Sequence, residues 1–241
     1  PAMNQLPTGG AVAQGKASLS QRSTAQAAAL TVQQSSQRAV INWDTFNLGS
    51  AATVNFAQPN AQAVTLNRVK DANPSQIFGN INAPGQVFLS NPSGLYFSPT
   101  SQVDVGSITA TTHSISDDNF MAGNYRFERN KATGKVVNEG VMKSGLAGYI
   151  ALLAPEVQNS GVVVAKAGTV VMAAGEVITL SFDANYSLAG ITTEPSQIAT
   201  LIENKQAVLA PDGQIILSAV ALNKLSAGVI KNSGTLEANS L

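Results

Sequence analysis

Few side chains in this 241-residue sequence are of types that do covalent chemistry: it holds one His, no Cys, and 14 acidic against 14 basic residues. The segment GAVAQGKA (10–17) comes near the phosphate-cradling pattern Gly-x-x-x-x-Gly-Lys-Ser/Thr, in which backbone N–H groups hold phosphates and the hydroxyl holds Mg²⁺. Ala17 stands where the hydroxyl is required and no apolar strand precedes, so a loop is expected there. His113, in ATTHSIS, has no Ser and Asp arrangement marking a catalytic triad, and a surface or hydrogen-bonded imidazole is expected. Asp117 and Asp118 are adjacent; on a strand they would face opposite sides rather than share a proton, and a helix cap or turn accounts for them. Asn185-Tyr186-Ser187 is a formal glycosylation sequon, and neither Gly-x-Ser-x-Gly nor His-Glu-x-x-His occurs. Without Cys there is no disulfide framework, iron–sulfur cluster or thiolate zinc site, and one His leaves no multi-His metal centre. No metal, cofactor or catalytic residue is expected.

The four residues Asn91-Pro92-Ser93-Gly94 carry more meaning. Pro92 fixes φ and ends a strand, Gly94 permits a tight turn, and the Asn91 amide can satisfy backbone groups at an irregular corner. Trp43, Phe46 and Tyr96 are the aromatics that could serve recognition, although packing is the more common use of large rings.

What positions these residues is a repeat. Four heptapeptides begin with Gly and carry apolar residues at their third and fifth places: GQVFLSN (85–91), GYIALLA (148–154), GTVVMAA (168–174) and GQIILSA (213–219). Upstream of the last three sit NEGVMKS (138–144), NSGVVVA (159–165) and NKQAVLA (204–210), and NSGTLEA (232–238) starts the pattern again. Gly148 and Gly168 lie twenty residues apart, a spacing that fits a parallel β-helix coil better than a helical repeat. Alternation along a strand then stacks Val87, Ile150, Val170 and Ile215 in one interior column and Leu89, Leu152, Met172 and Leu217 in the next. A third column holds Asn91, Ala154, Ala174 and Ala219. Phe88, Ala151, Val171 and Ile216 between them are apolar too, which implies that both sides of this sheet are covered. The recurring Asn residues suit corners and can stack into hydrogen-bonded ladders.

Three stretches break the rhythm. Residues 1–40, rich in Ala, Gln and Ser, are expected to cap the open N-terminal end of the coils, which occupy 41–241. NYRFERNKATGKVVNEG (124–140) reads as a hairpin within an excursion near 116–137, and 181–203 as a second excursion. The charge balance is zero, which offers no footprint for nucleic acid or an anionic membrane. The apolar run 162–180 is interrupted by Lys166 and Glu176, so it is not a membrane span. The first residues lack the basic and apolar regions of a signal peptide, and the fresh start at 232–238 implies an N-terminal fragment of a longer chain.

The runs VINWDTFNLGSAATVNFAQPNAQAVTLNRV (40–69), NPSQIFGNINAPGQVFLSNPSGLYF (73–97) and SQVDVGSITATTHSISDDNFMAGNYRF (101–127) resemble the haemagglutination-activity domain, the N-terminal secretion domain of large two-partner secretion exoproteins. The similarity is greatest to high-molecular-weight-type adhesins and covers nearly the whole chain. The family's Asn-Pro-Asn-Gly signature stands here as Asn91-Pro92-Ser93-Gly94; its Asn-Pro-Asn-Leu signature is absent, with Asn73-Pro74-Ser75-Gln76 in a related context. The INW opening (Asn42, Trp43) and the NRV segment (Asn67, Arg68) complete the set of candidate motif residues. The resemblance implies an all-β fold: a right-handed, single-stranded parallel β-helix with an N-terminal β cap and extra-helical hairpins. It also implies a monomer recognised by the periplasmic POTRA domains of a cognate outer-membrane β-barrel transporter. Such a protein is secreted through the periplasm to the surface of a Gram-negative bacterium, where it nucleates folding of the adhesin behind it. A β-helical polysaccharide-active enzyme is the rival reading, but it needs carboxylates stacked on one outer face, and the repeats align none. A directly adhesive carbohydrate- or host-binding module is the third.

Overall fold

In a computed structural model describing residues 1–222 and 228–239, the chain winds into a right-handed parallel β-helix of three faces. One coil runs through Lys135–Asn138 on the first face, Val141–Ser144 on the second and Tyr149–Leu153 on the third. The next runs through Glu156–Asn159, Val162–Val164 and Thr169–Ala174. Corresponding strands pair in parallel, residue for residue, as Ile150 does with Val170 and Leu152 with Met172. Two longer strands, Asn80–Ser90 and Gln102–Thr111, run through a corner and serve both the second and third faces.

Apolar columns fill the interior. Val87, Ile108, Ile150, Val170 and Ile215 stack in register, beside Leu89, Ala110, Leu152, Met172 and Leu217. Burying an aliphatic side chain of this kind contributes about 1.5–3 kcal/mol. Ile108 and Ala110 belong to a coil, GSITATT (106–112), that the heptapeptide alignment passes over. The opening glycines form their own column, because an added Cβ on Gly148, Gly168 or Gly213 would overlap the carbonyl oxygen of the glycine one coil back. Neighbouring backbones thus approach too closely at this corner for any side chain.

The third face is covered outside as well as inside. Phe88, Ala151 and Val171 point away from the interior yet are fully buried. Over them lie Phe120 of a short helix, Asp117–Ala122, and Tyr125, Phe127, Ile178, Leu180 and Leu188. The Phe88 ring sits 5.6 Å from Phe120 and 5.0 Å from Tyr125, both edge-on. The helix begins as its sequence requires: the Ser116 hydroxyl accepts from the Asn119 N–H, and Asp117 and Asp118 occupy the first turn, where the helix dipole favours negative charge.

Four expectations need correction. Residues 124–140 do not form a hairpin. Arg126–Glu128 pairs antiparallel with Val177–Thr179, in a three-stranded outer sheet with Leu188–Glu194, whereas Lys135–Asn138 returns to the first face between Leu95–Phe97 and Glu156–Asn159. Asn130 and Lys131, both at positive φ, turn the chain around the corner instead of back on itself. The second excursion is the hairpin Val177–Phe182 with Leu188–Glu194, so it starts before residue 181, and Thr200–Asn204 is already a coil strand. The antiparallel end-strands are Ala11–Gln14, paired with Arg38–Trp43, and Ala17–Ser23, paired with Ala28–Gln34; parallel stacking begins with Ala28–Gln34 on Ala52–Ala57, ahead of residue 41. GAVAQGKA is therefore part of two strands joined at Gly15 rather than a loop.

Candidate recognition site

Asn73–Pro74 and Asn91–Gly94 lie at successive corners between the third and first faces, whereas Asn42, Trp43, Asn67 and Arg68 lie within the strands Arg38–Trp43 and Val64–Val69. Asn91 follows the strand Asn80–Ser90 and is fully buried. Its Nδ2 donates to the Asn73 carbonyl at 3.1 Å and the Ser75 Oγ at 3.0 Å, and its Oδ1 accepts from the Ser93 N–H at 2.9 Å. The Gly94 N–H closes the turn on the Asn91 carbonyl at 3.0 Å, with Gly94 at φ 125°, a conformation open to glycine. Ser93 Oγ donates to the Asp71 carbonyl at 2.8 Å. Two Asn-Pro-Ser segments, 73–75 and 91–93, are thereby tied across adjacent coils. Removing the Asn91 amide would leave buried groups unpaired, at about 1–3 kcal/mol each. Sequence reasoning overlooked Ser75 and Asp71 as partners, although Ser75 lies within the NPSQ segment it singled out.

The other candidates form a second cluster one coil earlier. Trp43 Nε1 donates to Asn67 Oδ1 at 3.0 Å, and Asn67 Nδ2 donates to the Phe88 carbonyl at 3.2 Å, so a buried side-chain amide links three successive coils. Trp43 packs edge-on against Phe46 at 5.5 Å, and both rings are buried. Arg68 donates to Asn42 Oδ1 at 3.2 Å and the Ile115 carbonyl at 2.8 Å, and pairs with Asp117 at 2.7 Å. It fastens the start of the outer helix to the coils.

Beside the Asn-Pro-Ser-Gly corner runs an open groove of about 740 Å³, lined among others by Pro74, Pro92, Tyr96, Lys131, Lys135 and Glu156. Tyr96 is half-buried, and Lys131 and Lys135 are exposed. Prolines, a phenol and two ammonium groups, of which Lys135 lies 4.0 Å from the Glu156 carboxylate, form a mixed apolar and polar surface suited to a polypeptide partner.

The residues that could do covalent chemistry do not assemble. Among the described residues no three His, Cys, Asp or Glu side chains gather. His113 is fully buried, its Nε2 2.8 Å from the Gly175 carbonyl, and burial pushes its pKa down to about 4. Burial works to raise the pKa of Glu176 next to it. The Arg129 side chain at 2.9 Å and the Gln197 N–H at 3.1 Å outweigh that, holding the carboxyl below its usual value. This polar knot fixes the hairpin base to the coils. Among the described residues no helix is long and apolar enough to cross a membrane.

Comparison with known proteins agrees with this architecture. A family model described as the TPS secretion domain matches residues 4–241. A heme/hemopexin-binding protein of Haemophilus influenzae is 30% identical over 226 residues, which cover 91% of this chain and 24% of that protein. A second heme/hemopexin-binding protein from Haemophilus influenzae is 36% identical over 112 residues, 46% of this chain and 12% of that one. The chain thus spans a quarter or less of the length of these curated relatives. The crystal structure of the HMW1 secretion domain from Haemophilus influenzae matches with a TM-score of 0.84 at 28% identity, covering 97% of this chain and 60% of that one. With the stacked coils, the outer sheet and a family match over almost its full length, the chain belongs to the TPS family of two-partner secretion domains.

Proposed function

We propose that residues 1–241 act as one unit, the export signal and folding nucleus of a longer surface adhesin of a Gram-negative bacterium. Periplasmic POTRA domains of a cognate outer-membrane β-barrel transporter recognise it, and outside the cell its coils template the coils that follow.

The observation that carries this reading is the polarity of the helix. At its N-terminal end the strands Ala11–Gln14 and Ala17–Ser23 run antiparallel and close the first coil. At the other end the last described strands, Gly228–Asn232 and Thr235–Asn239, continue the parallel ladders. Each coil stacked there would bury an edge and extend the apolar columns, so folding outside the cell would bias transit without a nucleotide. The groove beside Asn91–Gly94 supplies a surface for the periplasmic partner. Asn91 itself is buried and acts by holding the corner, so its loss removes shape rather than a contact.

The test is binding of the purified chain to the isolated periplasmic domains of its cognate outer-membrane transporter. Saturable binding that Tyr96→Ala and Lys135→Glu weaken, without lowering the unfolding temperature, is expected. Binding that neither variant changes would move the contact elsewhere, and no binding by the folded wild-type chain would overturn the reading.

A further inference from the structure

We propose that the cleft between the first coils and the tip of the outer hairpin is a binding site for a neutral saccharide. It encloses about 610 Å³, within the range of small-ligand sites and large enough for one or two pyranose rings, and Gln37, Arg38, Gln62, Gln86, Tyr125 and Tyr186 line it.

Its polar groups are planar, two-way and already held in place. Gln37 and Asn60 bond each other through both amide atoms, at 3.1 and 2.9 Å, which fixes both groups and leaves each a spare N–H. Gln86 is oriented by the Tyr149 hydroxyl on its Oε1 and by the Gln62 carbonyl, 3.0 Å from its Nε2. Arg38 reaches the Tyr125 hydroxyl at 3.4 Å through one guanidinium nitrogen, while its buried Nε has no partner.

The apolar half of the site is aromatic. Phe182 packs edge-on against Tyr125 at 5.5 Å and Tyr149 at 5.4 Å. Tyr186 is 74% exposed and sits at φ 61°, a left-handed conformation that an aromatic residue rarely adopts. The Asp183 carboxylate holds that turn by accepting from the N–H groups of Asn185 at 2.8 Å and Ser187 at 3.0 Å. Backbone strain of this kind, spent on presenting a ring to solvent at a cleft rim, fits a stacking platform better than a packing role.

Charge selects the ligand class. One guanidinium and one carboxylate leave the lining without net charge, and one oxygen of that carboxylate, Asp183 Oδ1, already accepts from two backbone donors. Neither a phosphate nor an ammonium group would find a surplus of opposite charge. A pyranose offers what remains: a C–H face for Tyr186 and alternating hydroxyl donors and acceptors for the amides and Arg38.

The test is titration of the purified chain with cellobiose, lactose, maltose and chitobiose, followed by NMR shifts and calorimetry. At least one disaccharide is expected to saturate with a Kd of ~1–10 mM or tighter. Tyr186→Ala and Gln62→Ala should each weaken it about tenfold while leaving the unfolding temperature unchanged, since both side chains are exposed. Failure of all four sugars to saturate, or equal affinity in both variants, would overturn the proposal. So would binding confined to sulfated or sialylated glycans and lost in salt, which would assign the cleft to anions.

Discussion

Asn159 is the position where the energetics of the asparagine ladder can be measured most cleanly. It is fully buried between Asn138 and Asn204, which stack with it at 2.9 Å on either side; Asn232 extends the ladder. Its Nδ2 lies within hydrogen-bond range of Asn204 Oδ1, the Ala207 carbonyl at 3.0 Å and the Gly161 carbonyl at 3.2 Å. Its Oδ1 accepts from Asn138 Nδ2 and from the Gly161 N–H at 3.2 Å. An amide nitrogen has only two protons, so these contacts amount to four hydrogen bonds, each worth about 1 kcal/mol net. Asn159→Ala should therefore destabilise the domain by about 3–5 kcal/mol, because the partners left behind are buried and cannot turn to water. For a domain of this length that is roughly 10 °C in unfolding temperature. The control is Gln158→Ala, one residue earlier and facing outward, where the only side-chain bond described is to Glu156 at 2.9 Å; a loss under ~0.5 kcal/mol is expected. Urea unfolding followed by circular dichroism, with midpoint and slope fitted separately, reads both variants. A loss below about 1 kcal/mol for Asn159→Ala would refute the reasoning, by showing that the ladder's bonds exchange with water at little cost.

Further outcomes follow from other parts of the structure. Gly168→Ala places a Cβ against the Gly148 carbonyl oxygen, so the corner must open; an unfolding temperature lower by several degrees is expected, while Gly190→Ala, where an added Cβ meets nothing, should be near neutral. His113 gives a pH dependence. Its folded pKa of about 4 lies below the ordinary 6.5, so the unfolded chain takes up the proton first. Stability should be complete above pH 6.5 and fall by up to about 3 kcal/mol as pH drops toward 4. The depressed Glu176 carboxyl adds loss in the same direction only at lower pH, so unfolding curves between pH 7 and 5 isolate the imidazole, and His113→Asn should flatten them. Arg68→Met removes the bonds to Ile115 and Asp117 while keeping a long apolar stem; faster amide exchange across Asp117–Ala122 is expected, with little change in the coil strands.

The interior of this fold was legible because stacking imposes a strict rule on sequence. Gly at the corner, apolar residues at the third and fifth places, and Asn at the next corner recur wherever coils lie directly on one another, and the columns through Ile150 and Leu152 follow from that alone. The coil at Gly106 escaped notice because its strand is made of Ser, Thr and Ala around Ile108, so its apolar contrast is weak although its opening glycine and third residue conform. The outer sheet was misread for a different reason. Arg126–Glu128 finds its partner some fifty residues later, and such pairing leaves no local signature, whereas the turn-like Asn-Lys-Ala-Thr-Gly suggested a neighbour that does not exist. Of the candidate site, the residue types at Asn67, Arg68 and Asn91 were readable from motifs. That Trp43 and Asn67 meet, and that Asn91 reaches Ser75, depends on which coils are adjacent and so required the fold.

The most direct test of the proposed role is export itself. The wild-type chain, carrying a cleavable periplasmic leader, should accumulate in the medium only when the cognate transporter is co-produced, and Asn91→Ala should stay in the periplasm. Wild-type chain that remains periplasmic despite a functional transporter, or that reaches the medium equally well without one, would contradict the assignment of this domain as an export signal.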